Sequence, residues 1–139
     1  MPTPFLCAAL LVPALFLQVP PPAAAEKANL KAVIHFDADR TEIRKAEEAA
    51  LERLAELLLQ HPSWKLEIQG HTDPFGTEEF KLALGARYAD AVLRWLVAKG
   101  VPPTQLQSIS YGKQRPLYTG KQRGKALANA RCEFRLLEP

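Results

Sequence analysis

The chain has 139 residues, 18 Lys or Arg against 15 Asp or Glu, and a formal net charge of +3. That length suits one domain with one core, and an excess of basic charge so small and scattered argues against a nucleic-acid partner.

No Lys, Arg, Asp or Glu precedes Glu26, and residues 5–19 are almost wholly apolar. A spanning helix needs roughly 20 apolar residues, and this run is shorter and broken by proline. It has the length of a signal-peptide core, and Ala23-Ala24-Ala25 offers a cleavage site. Residues 1–25 are therefore expected to be a secretion signal, 26–31 a short linker and 32–139 the domain, with no transmembrane segment in the mature chain. Removal of Cys7 with the signal leaves Cys132, which reads as a small core residue.

The domain alternates strands and helices. Ala32–Phe36 is a predicted short strand that ends in the turn Phe36-Asp37-Ala38-Asp39, where aspartates bond nearby backbone amides. From Ile43 to Gln60 apolar residues recur at helical spacing, with Thr41 a candidate cap and His61-Pro62 a stop. Trp64–Gln69 alternates apolar and polar residues, as a strand with one buried face does. A second helix covers the stretch after Asp73. Leu106–Tyr111 is a third strand, Tyr118–Asn129 a loop with at most a short helix, and Arg131–Leu136 a strand with Cys132, Phe134 and Leu136 on one side. The predicted fold is an α/β two-layer sandwich of order βαβαβ(α)β, a mixed four-stranded sheet with two long helices covering one face.

The second helix can be phased. At ~100° per residue, Gly85, Ala89, Val92 and Leu96 fall on the sheet side, and Glu79, Arg87, Asp90 and Arg94 on the other. Tyr88 lies on the apolar flank with its hydroxyl expected at the rim, Lys81 points along nearly the same line seven positions earlier, and Arg87 is turned away.

Motifs of catalysis are missing: there is no Gly-x-Ser-x-Gly, no phosphate-binding glycine loop and no His-Glu-x-x-His. Glu47-Glu48 and Glu78-Glu79 belong to solvated helix faces. His35, His71 and Asp73 lack the close histidine pair of a metal site. No enzyme, cofactor or metal is expected. Asp73, between strand and helix and ahead of Pro74, is either a helix cap or a ligand contact.

Several motifs occur together: Phe36-Asp37-x-Asp39-x-x-x-Ile43, Gly70-His71-Thr72-Asp73-x-x-Gly76, Leu84-Gly85-x-Arg87 with Ala89-x-x-Val92, Lys99-Gly100-Val101, Ser110-Tyr111-Gly112-x-x-x-Pro116 and Asn129-x-Arg131. In this order, over about residues 32–137, the chain resembles the OmpA-like C-terminal domain family. The resemblance implies a periplasmic domain of a Gram-negative cell, associated with the outer membrane and cell wall, that binds peptidoglycan non-covalently through the diaminopimelate of the stem peptide. It also implies a site drawn from Phe36, Asp37, Thr72, Asp73, Lys81, Arg87, Tyr88, Asn129 and Arg131.

Diaminopimelate carries an ammonium and a carboxylate on one carbon, so its receptor needs an anion beside a cation. Asp73 matches the family's ammonium-binding Asp, and amides at the following helix start can hold a carboxylate. The family's Arg should stand fifteen residues later, where this chain has Tyr88. Lys81 replaces the family's Asn, and Ala130 an Arg. Lys81 can supply the missing cation, as a point charge without the fork of Arg, or it can pair with Asp73 and fill the anion site itself. The alternative is a domain of the same shape that has lost or altered its wall ligand and meets another envelope protein, through the basic loop from Lys113 to Lys125.

Overall fold

A computed structural model describes residues 30–120 and 122–137. The expected signal segment lies outside them, as does most of the expected linker. Leu30, at the linker's end, is buried in the core.

The elements run β1 (Ile34–His35), α1 (Glu48–Gln60), β2 (Lys65–His71), α2 (Glu78–Ala98), β3 (Leu106–Gly112), α3 (Arg123–Leu127) and β4 (Arg131–Leu137). One four-stranded sheet has the order β1-β4-β2-β3. β2 and β3 are parallel, joined by α2, whereas β4 runs antiparallel to both of its neighbours. The predicted mixed sheet with two long helices is what forms.

Leu66 and Ile68 of β2 are fully covered, as the alternation predicts. They meet Leu51, Leu54 and Leu58 of α1 and Leu84, Ala89, Val92 and Leu96 of α2 in one core. Gln105 locks one end of it: its side-chain amide donates to the carbonyls of Leu58 and His61 at 3.0 Å and of Trp64 at 3.1 Å, tying the end of α1 to the start of β3.

Boundaries differ in instructive places. The first helix begins at Glu48 after a 3-10 turn over Lys45–Glu47, and Thr41 caps nothing. Arg44 organises this approach instead, reaching Glu47 at 2.7 Å and Asp37 at 3.5 Å. β2 runs on through Gly70 and His71, with an irregularity against β3 there. α2 lies on Gly70 so closely that a Cβ on that residue would overlap the Gly85 carbonyl. Two glycines thus set the distance between helix and strand. Among the described residues, no helix is long and apolar enough to cross a membrane.

Candidate ligand-binding site

β2 delivers Thr72 and Asp73 to one end of the sheet. Thr72 is pinned by its own amide, which donates to the Gly112 carbonyl at 2.8 Å, and by its hydroxyl, which donates to the Asp73 carbonyl at 3.0 Å. Asp73 Oδ1 accepts from the Phe75 amide at 2.9 Å, an Asx-type turn. The cap of α2 is Thr77, whose hydroxyl accepts from the Phe80 amide at 3.2 Å. Asp73 therefore shapes the turn before the helix and leaves the capping to Thr77.

Lys81 projects from the first turns of α2 back over that turn. Its Nζ lies 3.0 Å from Asp73 Oδ1, the two side chains being 2 % and 3 % exposed. Asp39 Oδ1 reaches the same Nζ at 3.4 Å from the solvent side. Of the two arrangements open to Lys81, the structure shows the second, the pairing with Asp73. Asp39 is the residue that sequence reasoning treated as a turn former. Its place in the Phe36-Asp37-x-Asp39 motif was the only signal of this contact.

Tyr88 shares the helical line of Lys81, but its hydroxyl is not at the rim, since the whole residue is buried. Its ring stacks on Phe36. Burial first, and then the Asp39 and Asp73 carboxylates, push its hydroxyl pKa up to about 12, partly offset by the Asp39 backbone. Phe36, Asp39, Asp73, Lys81 and Tyr88 thus meet in one place. Asp37 stands at the edge of this group and pairs with Arg44.

The other residues implied by the resemblance have different surroundings. Arg87 is exposed, on the α2 face that carries Asp90 and Arg94. Asn129 is wholly buried and fastens the loop before α3: its Oδ1 accepts from the amides of Leu117 and Tyr118, and its Nδ2 donates to the Tyr118 carbonyl. Arg131, also buried, donates to the carbonyls of Asn129 and Arg115, both at 3.0 Å, and approaches Glu133 at 3.4 Å. These two residues brace the loop between β3 and α3.

His71 stands beside Arg131 and contacts Glu133 at 3.2 Å. Burial and the Arg131 charge lower its pKa to about 4, against a smaller opposing pull from Glu133. Among the described residues no group of three or more His, Cys, Asp or Glu could hold a metal ion. Cys132 is buried on the core face, and burial raises its thiol pKa.

Residues 35–130 match the model of the OmpA family. The chain is similar to the peptidoglycan-associated lipoprotein of Rhizobium meliloti, 46 % identical over 84 residues that cover 60 % of this chain and 48 % of the relative. The protein of that name from Pseudomonas aeruginosa is 37 % identical over 113 residues, covering 80 % of this chain and 67 % of the relative. The chain spans about half the length of the rhizobial relatives it matches. Among solved structures, the peptidoglycan-associated lipoprotein of Burkholderia pseudomallei superposes with a TM-score of 0.74 at 34 % identity, covering 77 % of this chain and 91 % of that one. The C-terminal domain of Helicobacter pylori MotB has the same fold, with a TM-score of 0.70 at 24 % identity over 78 % of this chain and 85 % of that one. With the family model matched from the first strand to the approach of the last, and with relatives this similar, the chain belongs to the OmpA family.

Proposed function

We propose that this chain is a peptidoglycan-associating module of the Gram-negative cell envelope, acting in the periplasm against the wall and outer membrane, and that Asp73 takes the diaminopimelate of the stem peptide. The role is attachment. The names of the relatives described above support the association with peptidoglycan. Asp73 has the chemistry to hold a primary ammonium, but the one it holds at 3.0 Å is that of Lys81, with both side chains closed off from solvent. The pairing supports the choice of an ammonium and counts against a site standing open to one. An amine of the stem peptide presents the same group, and burial strengthens its attraction to a carboxylate.

The test is co-sedimentation of the purified protein with peptidoglycan sacculi. Binding is expected, with competition by excess diaminopimelate and loss in Asp73→Ala. A natural protein that stays in the supernatant at low salt removes this reading.

A second reading is favoured by Lys81 and Tyr88 together: the ammonium's place is filled from within, and a buried aromatic stands where the family has its Arg. On this reading the domain has lost or altered its wall ligand and serves contacts with another envelope protein. Tyr88→Arg then creates sacculus binding that the natural protein lacks. Strong natural binding with no gain from the substitution removes it.

A further inference from the structure

Lys81 has the burial of a core leucine. It lies in the buried stripe of α2 with Leu84, Gly85 and Tyr88, and is 1 % exposed. Taking an ammonium out of water is costly unless an anion receives it in good geometry. Two carboxylates do so, and they are unlike. Asp73 is built into the fold, oriented by the Phe75 amide and almost fully covered. Asp39 is 64 % exposed, sits farther off at 3.4 Å and belongs to a surface turn. Its φ of 57° is a left-handed conformation that residues other than glycine rarely adopt. That turn is anchored before Asp39 by the Phe36–Tyr88 stack and by Asp37 on Arg44. Around the lysine's stem, Gly76 at φ 132° comes so near that a Cβ there would stand 3.1 Å from Lys81 Cε.

We propose that Lys81 is a tethered occupant of an ammonium site at Asp73 and that the Asp37–Arg40 turn is the latch over it. An external primary ammonium reaches Asp73 when Asp39 releases and Lys81 swings out, so the domain's grip on its ligand is set by a competition within its own chain. This rests on the reading that Asp73 takes an amine of the wall, and adds what regulates it. A tethered group competes at an effective concentration of about a millimolar or more. The apparent affinity for any external amine falls by the fraction of time Lys81 is seated on Asp73. Asp73 keeps its Phe75 hydrogen bond when Lys81 leaves, so the carboxylate stays aimed at the incoming group. The Asp39 contact, exposed and long, is the weaker of the two and the first to yield.

The full chain and its Lys81→Met, Lys81→Ala and Asp39→Asn variants carry the test. Binding to meso-diaminopimelate is measured by calorimetry and binding to sacculi by co-sedimentation. The thermal midpoint of Lys81→Ala is measured with n-propylammonium, which replaces the deleted atoms, and with n-propanol. Lys81→Met is expected to bind diaminopimelate about tenfold or more tightly than the natural chain, and Asp39→Asn to shift the same way by less. The Lys81→Ala midpoint rises with n-propylammonium and not with n-propanol. The proposal is overturned if neither Lys81→Met nor Asp39→Asn binds more tightly than a natural chain that does bind, or if the two propyl compounds act alike. If every chain ignores sacculi and diaminopimelate while n-propylammonium still rescues Lys81→Ala, the ammonium site stands and the wall ligand falls. Asp39 is on the surface, so its variant decides the matter if the Lys81 variants fail to fold.

Discussion

Phe36 and Tyr88 stack with ring centroids 4.4 Å apart and planes 13° apart, joining the end of β1 to the middle of α2. Both rings are buried, so this contact closes the core beneath the Asp39 turn. It gives Tyr88 a packing role that its hydroxyl does not share. Tyr88→Phe should change stability by less than about 1 kcal/mol, whereas Tyr88→Ala should cost about 3–5 kcal/mol. Urea denaturation of the two variants separates the ring from the hydroxyl, and equal losses would contradict the packing role.

Removing one partner of the covered Asp73–Lys81 pair strands the other. Lys81→Met is expected to destabilise by about 3–5 kcal/mol, and adding Asp73→Asn to it should restore much of that loss. A double-mutant cycle on unfolding free energies reads the coupling. Additive losses would mean that the two groups do not interact in solution.

His71 makes stability depend on pH. Its pKa is about 4 in the folded protein, below the ordinary 6.5. Between those values the unfolded chain binds more protons than the folded one, so stability rises with pH. The contribution is whole above about pH 6.5 and is lost as pH falls toward 4, by up to about 3 kcal/mol. Denaturation midpoints between pH 7 and 4.5 should fall less steeply for His71→Phe than for the natural chain. The same slope in both would assign the acid sensitivity elsewhere.

Gly70→Ala forces a Cβ onto the backbone of α2 at Gly85, with no flexible side chain to give way. A loss of about 3 kcal/mol is expected. Because α2 carries Lys81, the same change should expose the Asp73 pair. Faster amide exchange at the start of α2 would report it, and unaltered exchange would count against close helix–strand contact.

Elements with a strong period are legible in the sequence. The face of α2 followed from Gly85, Ala89, Val92 and Leu96, all of them buried. The alternation of β2 gave its core face, but not its last two residues, since Gly70 and His71 carry no alternating pattern. Thr41 had the chemistry of a cap and lost the position, because Arg44 holds Asp37 and Glu47 and directs the chain into a 3-10 turn first. In the site, Asp73 was legible as a strand-end carboxylate. The fate of Lys81 was not, because the choice between open cation and internal partner depends on Asp39, 42 positions away, arriving on the same ammonium. Burial of Tyr88 likewise required Phe36 to come over it from another element.

The order β1-β4-β2-β3 puts the last of the described strands inside the sheet, where it is the only partner of β1. During folding, β2 therefore has an open edge until residues 131–137 pair with it. Removing the seven residues of β4 should thus cost the whole architecture rather than fray one margin.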